Sequence, residues 1–101
     1  MLTSKQRAEL RGLASTEETI LHVGKGGIND NLIKQAEDAL VARELIKGKV
    51  MENSLLSPRE ACEALAEATS SESVQVIGSK FVLYRKNNKN PKIELKKDKK
   101  R

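Results

Sequence analysis

Hydrophobic and polar positions follow two periods along this chain, one typical of helices and one typical of strands. Near the start, Leu10, Leu13 and Ala14 recur three and four positions apart, which predicts a helix that ends at about Ala14 with these side chains packed on a core. Arg7 and Arg11 lie one turn apart beside this apolar side. We expect both arginine side chains to stay in solvent.

Residues 19–43 predict a strand, a glycine-rich loop and a second helix. Residues 19–23 are a β-branched run typical of a strand, and Gly24-Lys25-Gly26-Gly27 is too rich in glycine to continue as strand or helix. Either Asn29 or Asp30 can cap the helix that follows. Its apolar residues recur at helical spacing: Leu32, Ile33, Ala36, Ala39 and Leu40.

Residues 45–50 predict a strand with two different faces. Ile46 and Val50 lie on one face of this strand, whereas Lys47 and Lys49 lie on the other, because successive side chains point to opposite sides. The pattern therefore indicates one core face and one basic face.

Two helix starts carry capping residues. Thr3 and Gln6 have the spacing of a capping box, in which each side chain hydrogen-bonds the backbone N–H of the other residue. Ser57-Pro58-Arg59-Glu60 combines an N-cap, a proline at the first helical position and a glutamate at the third, and predicts a helix that ends near Thr69.

The last two strands predict a hairpin, because residues 74–77 and 81–84 flank the turn Gly78-Ser79-Lys80. The order α-β-α-β-α-β-β then predicts an α/β chain of the α+β two-layer kind, with helices packed on a mixed four-stranded sheet. We expect two right-handed strand-helix-strand crossovers that give parallel neighbours, and one antiparallel strand added by the hairpin.

The 101 residues suffice for one modest core, and their charge is uneven. Residues 1–85 hold 11 Lys and Arg against 12 Asp and Glu, whereas residues 86–101 hold 8 against 2. We therefore predict one domain over residues 1–85 and a basic, mobile tail over residues 86–101. The tail either contacts polyanions such as nucleic acid or is a solubilising end.

Several classes of function lack the residues they need. The chain has no apolar run of about 18 to 20 residues and no secretory signal, so we expect a cytoplasmic protein without a membrane partner. Cys62 is the one cysteine and His22 the one histidine, which leaves no zinc-ligand spacing and no nucleophile with a base. We expect no enzyme, metal, cofactor or small-molecule substrate.

The glycine loop is the motif with a specific chemical meaning. A strand that feeds a G-x-x-G loop at a helix start lets a phosphate backbone approach without Cβ atoms in the way, and the helix N–H groups favour an anion there. Lys25 adds a positive charge, whereas Asp30 competes for the same N–H groups. KH domains clamp nucleotides with a loop of this form, so RNA is the candidate ligand. The alternative is a loop that only turns the chain.

Two stronger phosphate-binding motifs are excluded by spacing. A Walker A loop needs Ser or Thr directly after its lysine, but Lys25 is followed by Gly26. A dinucleotide-binding fingerprint needs glycine where Asn29 stands. Nucleotide hydrolysis is therefore not supported.

Four separated segments resemble the CRM domain (chloroplast RNA splicing and ribosome maturation), in particular the stand-alone bacterial YhbY-like proteins. These segments are Gly24-Lys25-Gly26-Gly27-Ile28, Arg43-Glu44-Leu45-Ile46-Lys47, Val74-Gln75-Val76-Ile77-Gly78 and Val82-Leu83-Tyr84-Arg85. The resemblance covers residue 2 to about residue 95. It implies a fold similar to the C-terminal domain of translation initiation factor 3, RNA binding, and association with precursors of the large ribosomal subunit.

The resemblance also implies which residues contact RNA. These are the loop residues Gly24, Lys25, Gly26 and Gly27, the first helix's Lys5, Arg7 and Arg11, and the weaker candidates Lys34, Lys47 and Lys49. We expect a monomer. The alternative from another functional class is an adaptor that binds ribosomal proteins. Gly48 departs from the family pattern, which has an apolar strand residue there, and suggests a local bulge.

Overall fold

The computed structural model of the protein describes residues 2–87 and residue 93. Its elements are α1 (Ser4–Ala14), β1 (Thr19–Val23), α2 (Asp30–Arg43), β2 (Leu45–Val50), α3 (Pro58–Thr69), β3 (Glu72–Ile77) and β4 (Lys80–Tyr84). This order confirms the predicted α-β-α-β-α-β-β arrangement. Within the described residues, no helix is long and apolar enough to cross a membrane.

The helix starts agree with the predicted caps. Thr3 and Gln6 form a capping box at α1, with the two N–H···O distances at 3.0 and 3.1 Å. Ser57 and Glu60 do the same at α3. At α2 the cap is Asn29, whose side chain accepts a hydrogen bond from Leu32 N–H at 2.9 Å, so Asp30 becomes the first helical residue.

The four strands form one mixed sheet in the order β1-β2-β4-β3. β1 and β2 are parallel, whereas β4 is antiparallel to both β2 and β3. The mixed sheet is confirmed, but the expectation that β2 and β3 are parallel neighbours is wrong because β4 lies between them. β4 is covered on both faces along most of its length, since Phe81, Val82, Leu83 and Tyr84 are all buried, whereas Lys80 at its start is exposed.

Both faces of the sheet carry a core. The larger core lies between the sheet, α2 and α3, and includes Leu21, Ile46, Leu65, Phe81 and Leu83. The smaller core lies on the opposite face and joins Leu10 and Ala14 of α1 to Leu45, Val74, Val82 and Tyr84 of the sheet. The α+β class is thus confirmed, and α1 adds a partial third layer to the two expected.

Two local expectations are corrected by this packing. Leu13 is 42% exposed rather than packed on the core, because α1 contacts the sheet only through the side that carries Leu10 and Ala14. Leu45 is buried on the face that also carries Lys47 and Lys49, since α1 covers the first part of β2.

The irregularity expected at Gly48 lies in its pairing with β1. The β1–β2 register shifts between Thr19 and Leu21, and Leu21 is the partner of Gly48. On its other side β2 pairs with β4 in regular register through Gly48, opposite Phe81. A Cβ atom on Gly48 would lie 2.3 Å from Cζ of Phe81. The aromatic ring thus occupies the space that a side chain would need.

Buried Glu44 connects the end of α2 to the chain beyond β4. Its backbone adopts φ 66°, and its carboxylate accepts hydrogen bonds from the N–H groups of Asn87 and Ile93, each at 2.6 Å. Ile93 packs against the smaller core. Residues 88–92 and 94–101 of the predicted tail lie outside the described residues, so the division into domain and tail stays a prediction.

Candidate nucleic-acid interface

The glycine loop is a tight turn between β1 and the cap of α2. The N–H of Gly27 donates to the carbonyl of Gly24 at 3.0 Å, and Gly27 has φ 66°, a region that favours glycine. A Cβ atom on Gly26 would lie 3.2 Å from Nδ2 of Asn29, so a side chain there would press on the helix cap. Lys25 and Gly26 are exposed at the tip. Two of the glycines therefore have a local reason to be glycine.

The loop offers hydrogen-bond donors to an anion. Among the described residues, no hydrogen bond uses the backbone N–H of Lys25 or Gly26. These groups precede the N-terminus of α2, whose dipole also favours negative charge. Asp30 is exposed in the first turn of α2, so its carboxylate competes for the same helix end, as the sequence indicated.

The three cationic side chains of α1 have different surroundings. Lys5 and Arg11 are exposed, as expected. Arg7 is only partly exposed, because its guanidinium donates to the backbone carbonyls of Ser73 and Val74 in β3. The expectation that Arg7 stays in solvent is therefore wrong: this side chain ties α1 to the edge of the sheet.

The remaining predicted cations lie on different sides of the sheet. Lys47 and Lys49 share the sheet face on which α1 packs, and Lys47 lines an open groove with Arg11. Lys34 belongs to α2, which covers the other face, and pairs with Asp38 at 3.7 Å. The fold thus brings Arg11, Lys47 and Lys49 to one face and leaves Lys34 apart from them.

Lys80 was missed by the sequence analysis. It lies directly opposite Lys49 in the β2–β4 register and lines the same groove as Arg11 and Lys47. The alternation in β4 indicated which residues share a face with Lys80, but the neighbouring strand depends on the order of the sheet. Local patterns do not determine that order.

The described residues offer little to acid-base or metal chemistry. They contain no group of three or more His, Cys, Asp or Glu side chains that could hold a metal ion. Burial raises the pKa of the Cys62 thiol above its ordinary value of 9.0, which keeps the thiol protonated and unreactive at neutral pH. His22 is exposed on β1.

Comparison with known families matches this architecture. The sequence model of the CRS1 / YhbY (CRM) domain matches residues 2–85. The chain belongs to the CRS1/YhbY (CRM) domain family. The matched residues include all seven helices and strands, the glycine loop and the basic sheet face.

Proteins with similar sequences occur in bacteria and archaea. "Probable RNA-binding protein YqeI" of Bacillus subtilis is 47% identical over 95 residues, which cover 94% of this chain and 99% of the relative. "Probable RNA-binding protein MJ0652" of Methanocaldococcus jannaschii is 37% identical and covers 98% of this chain and 80% of its own length. An "RNA-binding protein" of Haemophilus influenzae is 33% identical, and the match covers 83% of this chain and 85% of the relative.

A solved structure of a similar chain agrees with the fold. The solution structure of the hypothetical protein SAV1595 from Staphylococcus aureus superposes with a TM-score of 0.79 at 52% sequence identity. The match covers 95% of this chain and 100% of that chain. That protein is described as a candidate for RNA binding.

Proposed function

We propose that this chain is a non-catalytic RNA-binding protein that acts in the cytoplasm as a monomer. Its role is that of a ribosome-assembly factor that associates with precursors of the large ribosomal subunit. The RNA contact is made by the glycine loop Gly24–Gly27 together with exposed cationic side chains of the domain. Arg7 and Lys34 are secondary to this contact, because one holds β3 and the other is paired with Asp38.

The glycine loop is the observation that carries the proposal. It combines two N–H groups without a partner among the described residues, exposed backbone at Gly26 and an exposed lysine at its tip. A sugar-phosphate chain supplies the oxygens that such donors bind, and the absence of side chains at the glycines lets it approach. The names of three relatives, which describe RNA-binding proteins, support the same ligand.

Replacement of the loop lysine tests the proposed site. Lys25→Ala removes one charge at an exposed position, so we expect weaker RNA binding and an unchanged melting temperature. The slope of log affinity against log salt should become shallower by about 0.7 to 0.9, the value for one neutralised phosphate. Arg43→Ala is the matched control, because Arg43 is exposed at the end of α2, outside the predicted tail and at the opposite end of the sheet from the loop. Full affinity of Lys25→Ala at several salt concentrations would remove the loop from the site.

The ribosomal part of the proposal needs its own experiment. Crosslinking in cells, followed by sequencing of the recovered RNA, should enrich precursor ribosomal RNA of the large subunit over bulk RNA. A chain that ends at Leu95 is the control for RNA held by the basic residues after it. Capture of ribosomal proteins that persists after nuclease treatment, without enrichment of RNA, would instead support an adaptor.

A further inference from the structure

Three adjacent strands place basic side chains in one line across the sheet. His22 of β1 is in register with Lys49 of β2, and Lys49 is in register with Lys80 of β4. All three lie on the face opposite the larger core, since their neighbours Leu21, Gly48 and Phe81 face that core. We call His22, Lys49 and Lys80 the basic row.

The two lysines of the basic row repel each other in the free protein. Residues directly opposite in an antiparallel pair have Cβ atoms about 4.5 to 5.5 Å apart, and like charges at such positions are destabilising. None of the ion pairs between described residues involves Lys49 or Lys80. The fold therefore tolerates an unfavourable pair on an accessible surface.

Four other cations of the domain form ion pairs within it. Four ion pairs join described residues, and each uses a residue of α2, of α3 or of the segment directly after β4: Lys34–Asp38, Arg43–Glu17, Arg59–Glu63 and Arg85–Glu37. The sheet face beside α1 holds no such pair among the described residues. Its unpaired positive charge suits a polyanionic partner.

The basic row continues the glycine loop in space. Val23, the last residue of β1, is in register with Val50, and the loop begins with the next residue, Gly24. His22 and Lys49 lie one residue earlier on β1 and β2, and Lys80 lies beside Lys49 on β4. Lys80 also lines the groove that Lys47 and Arg11 line. The basic row and this groove thus form a track of cations between the loop end of the strands and the first helix.

This track suits the backbone of RNA rather than its bases. The chain has one phenylalanine and one tyrosine and no tryptophan, and both Phe81 and Tyr84 are buried, at 0% and 5% exposure. A sheet that reads single-stranded bases needs exposed aromatic rings on which the bases stack. Lysines on strands about 4.8 Å apart instead offer a rigid array of charges to regularly spaced phosphates.

We infer that the basic row is a second RNA contact, which binds the sugar-phosphate backbone of helical RNA held at the same time by the glycine loop. This inference rests on the proposed function, because it adds a surface to the same RNA site. It assigns Lys80, Lys49 and the groove beside them to the interface. A helical ligand would lie across the end of the sheet and reach both contacts.

Reversal of the charge on Lys80 distinguishes an RNA contact of this residue from a role in the stability of the fold. Lys80→Glu in the full chain replaces a repulsive cross-strand pair by an attractive one, so the melting temperature should rise by about 1 to 4 °C. Affinity for a short RNA hairpin should nevertheless fall by about fivefold to tenfold at about 0.1 M salt. Arg43→Glu carries the same charge change at the other end of the sheet, outside the predicted tail, and should alter hairpin affinity less than about twofold. Lys49→Glu should behave like Lys80→Glu.

The choice of RNA tests the helical part of the inference. Oligouridine of the same length as the hairpin should bind more weakly to the unaltered protein, and Lys80→Glu should reduce its affinity less. Equal losses on both RNAs would overturn the assignment of a helical ligand. Unchanged hairpin affinity in Lys80→Glu, together with a loss in Lys25→Ala, would overturn the second contact and leave the proposed function intact. No hairpin or oligouridine binding by the unaltered protein would remove the proposed function itself.

Discussion

Gly48 tests how tightly the centre of the sheet is packed. In Gly48→Ala, the new methyl group would lie 2.3, 2.7 and 2.9 Å from three carbons of the Phe81 ring. Ordinary contacts of this kind are 3.4 Å or longer. The ring would have to move by more than about 1 Å, but Phe81 is fully buried in the larger core with Leu65 and Leu83. The methyl group therefore cannot be accommodated without strain.

The size of the effect follows from two opposed contributions. Overpacking of a well-filled core costs about 1 to 3 kcal/mol. Alanine in a strand regains about 0.5 to 1 kcal/mol of backbone entropy relative to glycine. We expect Gly48→Ala to lower the free energy of unfolding by about 1 to 2 kcal/mol, which corresponds to a melting temperature about 5 to 15 °C lower in a domain of this size.

Chemical denaturation of the unaltered chain, Gly48→Ala, Phe81→Leu and the double variant measures both the size of this destabilisation and its cause. Phe81→Leu removes the ring, so Gly48→Ala should cost less in that background than in the unaltered chain, with a coupling of about 1 kcal/mol. Gly12→Ala is the matched control, because a Cβ atom there has no neighbour within 4 Å and the change should stabilise α1. Equal costs of Gly48→Ala in both backgrounds would refute the explanation from Phe81.

Two further predictions concern buried polar groups. Glu44→Gln leaves only one acceptor oxygen for the N–H groups of Asn87 and Ile93, so the free energy of unfolding should fall by about 1 to 3 kcal/mol. Amide exchange at Asn87 and Ile93 should become faster, and unchanged rates would contradict this role. Burial raises the pKa values of Cys62 and Tyr84 above their ordinary 9.0 and 10.0, with Glu44 adding to the shift of Tyr84. Because folding disfavours their ionised forms, stability should be fully present below about pH 9 and decrease at higher pH. Denaturation curves from about pH 8 to about pH 11 measure this decrease, and a flat profile would contradict it.

Local rules explain why the elements could be predicted. The capping boxes at Thr3 and Ser57 and the turn at Gly78 each depend on residues within a few positions of one another. Their geometry is the same whatever packs around them. Most helix and strand bounds therefore followed from the sequence pattern, although β3 begins at Glu72 rather than at residue 74 and β4 at Lys80 rather than at residue 81.

The contacts that sequence reasoning missed are all non-local. Arg7 reaches carbonyls 66 and 67 positions away, and its position on α1 alone gave no sign of them. The lack of a side chain at Gly48 is explained by Phe81, which becomes its neighbour only through the β2–β4 pairing. Tertiary packing thus gives Arg7, which the sequence placed in solvent, hydrogen-bond partners in β3. It also gives Gly48, which departs from the family pattern, a close neighbour in Phe81.

The same dependence on strand order applies to the candidate site. Alternation along β2 correctly separated Lys49 from the larger core, but it could not tell which charge would lie beside it. Had β3 been the neighbour of β2, as the crossover rule favoured, Lys80 would lie at the edge of the sheet, away from Lys49. The insertion of β4 instead brings two lysines into one register position near the glycine loop. The positive charge of this surface is therefore a property of the sheet topology, and charge counts along the chain, which give residues 1–85 a net charge near zero, conceal it.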